Sequence, residues 1–320
     1  MTRYDVFNGD ADGLCALQQL RLASPADAIL VTGTKRDVRL LERIDAREGD
    51  ALTVLDVSLD ANRDALTRVL AAGASVVWFD HHIPGAPVSH PRLDPHIDTD
   101  PHVCTSLIVD RHLAGAHRPW AIAAAFGDNL QQEAKRLVRE AGLKDPQLAT
   151  LRALGESLNY NAYGDRVSDL YFDPAVLARS MRRYADPLAF AREEPVLATL
   201  QAGFEQDMAA AEQLRPFASG DGVAVYVLPD APWARRVIGA FANRLASENP
   251  ERAHAVLAER ADASYVVSLR APVANPEGAD EVARAFATGG GRKGAGGIDR
   301  LKADAFDALI ARFTERYATR

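Results

Sequence analysis

Two cysteines in 320 residues, Cys15 and Cys104, are too few to staple a chain of this length, which argues against a disulfide framework and makes a reducing cytoplasm the expected location. No stretch approaches the ~18 uninterrupted apolar residues of a membrane span. The opening Met1-Thr2-Arg3-Tyr4-Asp5 runs straight into a strand pattern without the apolar region of a signal peptide. Positive charge is short as well, with 37 Lys and Arg against 44 Asp and Glu and a net charge of −7. That balance argues against long duplex DNA as a partner, because non-specific duplex binding depends on neutralising phosphates. A short anionic substrate held by a few local cations stays open. Internal repeats and low-complexity tails are absent too.

What is present is the composition of a soluble globular protein, 48% hydrophobic and 25% charged. At one domain per ~150 residues, the length suggests two domains. Over the first 130 residues, short apolar strands (4–7, 28–32, 52–55 and the run ending at 80) alternate with helical patterns (14–23, 38–44 and 61–72). Such βαβ alternation implies a doubly wound, mainly parallel sheet. Residues 119–184 read as mostly helical, interrupted at 158–164 by the turn-forming, polar and aromatic stretch Leu158-Asn159-Tyr160-Asn161-Ala162-Tyr163-Gly164, which could line a site or be an ordinary capped loop. Pro187 and Pro195 then precede a long helix over 196–214 that Pro216 ends. A second, smaller α/β unit follows, with strands at 223–228, 254–257 and 265–269, helices at 234–246, 280–286 and 303–317, and a glycine cluster before the last helix. The expected organisation is a domain over 1–190, a connecting helix over 191–217 and a domain over 218–320.

Chemistry gathers at the strand ends. Val76-Val77-Trp78-Phe79-Asp80-His81-His82 is an apolar, β-favouring run that stops in a carboxylate and two imidazoles. It reads as a buried strand delivering polar side chains at its C-terminal end, where open α/β sheets place their sites. Taken alone, the stretch reads as well as a surface turn with two solvated histidines. Two further strand ends repeat the pattern: Asn8-Gly9-Asp10-Ala11-Asp12-Gly13, and Asp56 in Leu55-Asp56-Val57-Ser58. In an extended segment, Asn8, Asp10 and Asp12 would point to one face, with glycines allowing a tight turn. Asp128, after the apolar run 121–126, is a fourth candidate, although as a helix-end cap it would be unremarkable. Carboxylates crowded into one site repel unless a cation lies between them, so one divalent ion, or better two, is the economical explanation. Aspartate and histidine suit a borderline metal such as manganese or zinc.

In this order, Asp10-Ala11-Asp12, Asp56, Asp80-His81-His82 and Asp128 resemble the four motifs of the DHH phosphoesterase superfamily. The cluster Gly289-Gly290-Gly291-Arg292-Lys293-Gly294-Ala295-Gly296-Gly297 resembles the signature of the DHH-associated domain found in nanoRNases, cyclic dinucleotide phosphodiesterases and RecJ-like exonucleases. The resemblance implies a two-manganese site. In it Asp10 binds one ion, Asp12, Asp128 and His81 hold the other, and Asp56 bridges both. His82 lies at the phosphate or just behind the ligands, and Asp80 orients its neighbouring histidine, so that Asp56, His82 and Asp80 stand nearest the chemistry.

Two positions depart from that pattern. Asn8 stands where many relatives place a histidine, and an amide oxygen is generally the weaker ligand for a transition metal, so Asn8 is expected in or beside a loosely held metal position. Arg292 replaces a histidine that often follows the glycines, and its guanidinium can grip two phosphate oxygens at once. Gly289, Gly290 and Gly291 with Arg292 and Lys293 would make a backbone-donor loop for an anionic substrate end. Arg270 matches an arginine of the same domain, although a solvated strand end is the commoner fate of such a residue.

The expectation is a manganese-dependent phosphoesterase acting on short single-stranded oligonucleotides or small nucleotides in a cleft between the domains, with no membrane partner. An inorganic pyrophosphatase would share the N-terminal motifs but not the glycine signature. A nucleotide-binding regulator with an impaired metal site is the reading that Asn8 alone would favour. The sequence leaves the oligomeric state open.

Overall fold

The computed structural model describes residues 1–220 and 222–318, which divide into two units, Met1–Ala202 and Gly203–Arg320. The first is built on five strands, β1 (Arg3–Phe7), β2 (Ile29–Val31), β3 (Ala51–Leu55), β4 (Ser75–Asp80) and β5 (Leu93–Ile97). They lie in the order β2-β1-β3-β4-β5, every pair parallel. Helix α1 (Ala11–Ala23) leaves β1, and α2 (Arg63–Ala71) precedes β4. The strands alternate faces with period two. Val6, Leu52, Val54, Val76 and Trp78 form one core with Leu66, Val69 and Leu70 of α2. The order reverses at the β1–β3 pair, and in open α/β sheets the crevice at such a reversal is where ligands bind.

Seven further helices complete this part of the chain: α3 (Thr105–His112), α4 (Arg118–Gly127), α5 (Gln131–Glu140), α6 (Asp145–Asn161), α7 (Pro174–Met181), α8 (Pro187–Glu193) and α9 (Val196–Glu212), the last of which runs across the boundary between the units. Trp120 to Gly127 of α4 are buried on every side, the mark of a helix enclosed by others. Close approach depends on glycine: a Cβ on Gly155 would lie 1.9 Å from the Ala123 carbonyl oxygen, and one on Gly127 would lie 2.5 Å from the Ala11 Cβ. The C-terminus of α4, carrying Asp128, is thereby brought against the N-terminus of α1.

The second unit contains β6 (Ala218–Gly220), β7 (Val223–Leu228), α10 (Pro232–Glu248), β8 (Ala253–Glu259), β9 (Tyr265–Arg270), α11 (Ala279–Arg284), β10 (Gly289–Arg292), β11 (Ala295–Leu301) and α12 (Phe306–Tyr317). Its sheet runs β10-β11-β9-β8-β7-β6, with only β7 and β8 parallel. Val225, Leu257, Val267 and Ile298 pack against Val282 of α11 and Leu309 and Phe313 of α12.

Several elements differ from what the pattern of residues suggests. Residues 38–44 supply only a 3-10 turn, Leu40–Arg43, and another, Asp60–Asn62, opens α2. Strand β5 carries Asp94, Pro95 and His96 at a sheet edge, where proline is tolerated and no apolar run announces a strand. Helix α6 continues through Leu158 to Asn161, because burial of Leu151, Leu154 and Leu158 overrides the poor helix formers at its end. The glycine cluster is not a loop but the hairpin β10–β11, with Gly291 at φ +137°. No described helix is long and apolar enough to cross a membrane.

One buried group outside the first unit gives the fold a pH dependence. His254 on β8 is 1% exposed, its Nδ1 finds no hydrogen-bond partner among the described residues, and burial together with the charge of Arg252 lowers its pKa from 6.5 to about 4. The unfolded chain therefore takes up a proton that the fold resists. Stability contributed by neutral His254 is complete above pH 6.5 and is lost progressively as the pH falls toward 4. The loss should be on the order of 3 kcal/mol. Thermal unfolding of the full chain followed between neutral pH and pH 4 should show it, and His254→Leu should flatten the dependence. An unchanged pH slope in that variant would assign the acid sensitivity elsewhere.

Candidate metal centre

The parallel register builds the site. Phe7, Leu55 and Phe79 are paired across β1, β3 and β4, and the ladder continues one step further, with Asn8 N donating to Leu55 O (3.2 Å) and Asp56 N to Phe79 O (3.0 Å). Asn8, Asp56 and Asp80 therefore emerge side by side at one edge of the sheet. Asp56 adopts φ +57°, a left-handed conformation that aspartate tolerates better than most residues and that ends β3 abruptly.

Asp10 and Asp12 share this edge by a different route from an extended segment, because α1 begins at Ala11. Asp10 is the N-cap of α1, its Oδ1 accepting from Asp12 N (3.0 Å) and Gly13 N (3.2 Å). Asp12 lies in the first helical turn. Its two carboxylate oxygens accept from Thr105 N and Ser106 N, both at 2.7 Å, at the N-terminus of α3. The positive end of that helix holds the carboxylate in place. Asn8 uses its amide locally: Oδ1 accepts from Asp10 N (3.2 Å) and Nδ2 donates to Lys35 O (3.4 Å).

The histidines are oriented in turn. His81 Nδ1 lies 3.0 Å from Val103 O, so that nitrogen carries the proton and Nε2 is left facing Asp56 Oδ1 at 3.4 Å. His82 Nδ1 lies 2.7 Å from Asp80 Oδ1, which also accepts from His81 N (2.9 Å). Asp80 is fully buried, and its Oδ2 finds no hydrogen-bond partner among the described residues. It supports the histidines from behind while His82 is 44% exposed.

Two groups of potential ligands result. Asp56, His81 and His82 each offer an atom within 4.8 Å of the others, and so do Asp12, His81 and Asp128, with His81 common to both. Carboxylate oxygens and imidazole nitrogens, buried at Asp12 and Asp56 and more open at His81, His82 and Asp128, fit a borderline divalent ion. The electrostatics agree. Burial, then the charges of Asp10 and Asp12, push the Asp56 carboxyl well above the usual range. Burial and the charge of Asp12 push Asp128 to about 6. Burial disfavours the His81 cation, yet Asp56, Asp12 and Asp128 overcome it and raise its pKa to about 10. The site thus gathers more negative charge than its surroundings can solvate, which is what a cation would relieve. Asp10 is the exception. Burial would raise it, but the ammonium of Lys35 holds it below the usual value.

Lys35 was not among the residues singled out by the motifs. Its Nζ lies 2.5 Å from Asp10 Oδ2, 3.0 Å from Asn159 Oδ1 and 4.0 Å from Asp128 Oδ1. Lys35 follows β2 and stands at the same sheet edge as the other strand ends, but three residues separate it from that short strand. Thr105 and Ser106 act through backbone amides, which carry no signal in the sequence, and also through their hydroxyls, Thr105 Oγ1 donating to Asp56 Oδ1 (3.3 Å) and Ser106 Oγ to Asp12 O (2.8 Å). Of the remaining candidates, Arg270 is tied to Asn243 Oδ1 (2.6 Å), Ser268 Oγ (3.0 Å) and Leu269 O (2.8 Å), all within the second unit. Lys293 pairs with Glu277 at 3.0 Å, and Arg292 is exposed on the edge strand β10 beside Gly289, Gly290 and Gly291.

No protein-family model matches the chain, and no curated protein matches it either. Among solved structures, exonuclease RecJ bound to manganese aligns with a TM-score of 0.57 at 20% identity, covering 98% of this chain and 89% of that one. RecJ in complex with Mn2+ from Thermus thermophilus aligns at 0.55 and 17% identity over 98% of this chain and 52% of its own length. The pGpG-specific phosphodiesterase PggH from Vibrio cholerae aligns at 0.54 and 13% identity, with 98% of both chains covered. The chain has the two-unit α/β fold of these proteins.

Proposed function

We propose that this chain hydrolyses phosphate esters of short single-stranded oligonucleotides or small nucleotides with the help of two divalent metal ions, manganese by preference. The observation that carries the reading is the cluster formed by two overlapping ligand groups, Asp56, His81, His82 and Asp12, His81, Asp128, with Asp10 beside them at the sheet's C-terminal edge: more carboxylate and imidazole ligands than one ion needs, with the single free nitrogen of His81 available to one ion only. That the fold is shared with an exonuclease and a phosphodiesterase, both acting on phosphodiester bonds, supports it. Divalent ions bound there would neutralise charge on the phosphoryl oxygens and acidify a water molecule.

The chain's own residues would do the rest. Asp12 and His81 are held rigidly by the α3 amides and the Val103 carbonyl, so their ligand atoms need no reorganisation. His82, aimed by Asp80 and half-exposed, can present Nε2 to a phosphoryl oxygen or hand a proton to the leaving group. Asp10, with Asn8 beside it, would take part in holding the second ion. The exposed Arg292 and the adjoining glycine backbone are suited to a substrate phosphate, whereas Arg270, engaged by its neighbours, would shape that strand end. The net charge of −7 favours short substrates over long polymers.

A panel of end-labelled oligonucleotides from dinucleotide upward, with pyrophosphate alongside, incubated with manganese and resolved by length, tests the reading. The shortest members should be consumed fastest, and excess chelator should stop the reaction. Undiminished hydrolysis in chelator would remove the metal from the mechanism. Equal cleavage of long duplex DNA would remove the substrate class, and preferential turnover of pyrophosphate would replace it.

A further inference from the structure

Resting on the two-ion reading above, we propose that Lys35 is a built-in competitor for the ion on Asp10, so that this ion is the more weakly held of the two and enters only as the lysine leaves. Asp10 has its oxygens taken by the protein itself: Oδ1 by the Asp12 and Gly13 amides, Oδ2 by Lys35 Nζ at 2.5 Å. Asp12 also has both oxygens engaged, but by neutral backbone amides, whereas the partner on Asp10 Oδ2 is a cation that a metal ion would have to displace.

The lysine is positioned and not merely nearby. Its backbone is pinned on both sides, N donating to Ala162 O (2.9 Å) and O accepting from Asn8 Nδ2 (3.4 Å). Its ammonium is anchored a second time by Asn159 Oδ1 (3.0 Å) at the end of α6, and lies 4.0 Å from Asp128 Oδ1 and 5.8 Å from the centre of the Tyr163 ring. A fixed unit charge thus sits between Asp10 and Asp128, against which a divalent ion must compete. With 27% of its side chain exposed and a flexible four-carbon stem, Lys35 can swing toward solvent without moving the strand. The consequence is a centre whose negative charge is partly balanced before any metal arrives. Its second ion is taken up only when free metal is plentiful enough to displace an internal cation.

The test is a manganese titration of the metal-stripped full chain, read from the electron paramagnetic resonance of the free aquo ion and so independent of turnover. The wild type should bind one ion tightly and a second more weakly. Lys35→Met should tighten the weaker ion by about tenfold or more, as removal of a neighbouring unit charge predicts, whereas Lys35→Arg, which keeps the charge, should behave as wild type. Asn159→Ala removes only the second anchor and should shift the weaker ion in the same direction by less, which keeps the proposal testable if Lys35→Met folds poorly. Weaker or unchanged binding in Lys35→Met and Asn159→Ala would overturn it, and would make Lys35 a residue that positions Asp10 for metal. If the wild type binds manganese and hydrolyses esters while the variants bind alike, the lysine proposal alone falls. If the wild type binds no manganese, the two-ion reading falls with it.

Discussion

Asp56→Asn is expected to lower ester hydrolysis by roughly a thousandfold while leaving the fold intact or slightly more stable. The loss follows from removing a carboxylate within reach of His81 and His82, on which charge stabilisation worth several kcal/mol depends, and several kcal/mol corresponds to about three orders of magnitude in rate. The stability follows from the crowding of charge. The Asp56 carboxyl is pushed well above its usual range by burial and by Asp10 and Asp12, so the metal-free fold disfavours the ionised form that the unfolded chain adopts at neutral pH, and that opposes folding. Asparagine keeps the size, tolerates φ +57° and removes that charge, whereas alanine would add backbone strain at the same position. Turnover and thermal unfolding of the metal-stripped variant measured side by side decide the matter. Normal turnover would remove Asp56 from the centre, and a large fall in melting temperature would make it a structural residue.

The strand ends were legible because a parallel sheet turns sequence position into spatial position. Apolar runs ending in Asp56 and in Asp80-His81-His82 had to surface at one edge once βαβ alternation fixed the strands as parallel. The polar stretch around Asn159 was also visible, as an interruption in a helical region, and Asn159 does reach the site through Lys35. What sequence could not convey was the route of individual side chains. Asp10 and Asp12 have the spacing of an extended segment, but the capping of α1 by Asp10 puts Asp12 on a helix, aimed at α3. The amides of Thr105 and Ser106 belong to every residue type, so what those amides do depends on where α3 starts, and only their hydroxyls, bonded to Asp56 and to the Asp12 carbonyl, are particular to these residues. Lys35 was hidden by a short, half-exposed strand and by the three residues that separate it from the strand end. The glycine cluster was readable as composition but not as a hairpin, since glycine is a poor strand former and takes its place there through pairing with β11.

Asp12→Ala is expected to cost both the metal and the fold, which sets it apart from Asp56→Asn. The Asp12 carboxylate is the acceptor for two backbone amides at 2.7 Å each, and it ties the N-terminus of α1 to that of α3 in a region almost closed to solvent. Hydrogen bonds to a charged acceptor contribute about 1.5–3 kcal/mol each, and buried donors left without a partner cost a comparable amount. Removing the carboxylate should therefore destabilise the protein by about 3 kcal/mol or more. Asp12→Asn is only a partial rescue, because an amide offers one acceptor oxygen and would turn its NH2 toward the other amide. The expected order of thermal stability is wild type, then Asp12→Asn, then Asp12→Ala, with manganese binding impaired in both variants because Asp12, His81 and Asp128 lose a ligand. Asp56→Asn should fall outside that order, inactive but no less stable than wild type. Melting temperatures of the three variants in chelator, paired with manganese titrations, test the distinction. If Asp12→Ala melted with the wild type, the two amides of α3 would have found water or another acceptor, and the account of how α1 and α3 are held together would be wrong.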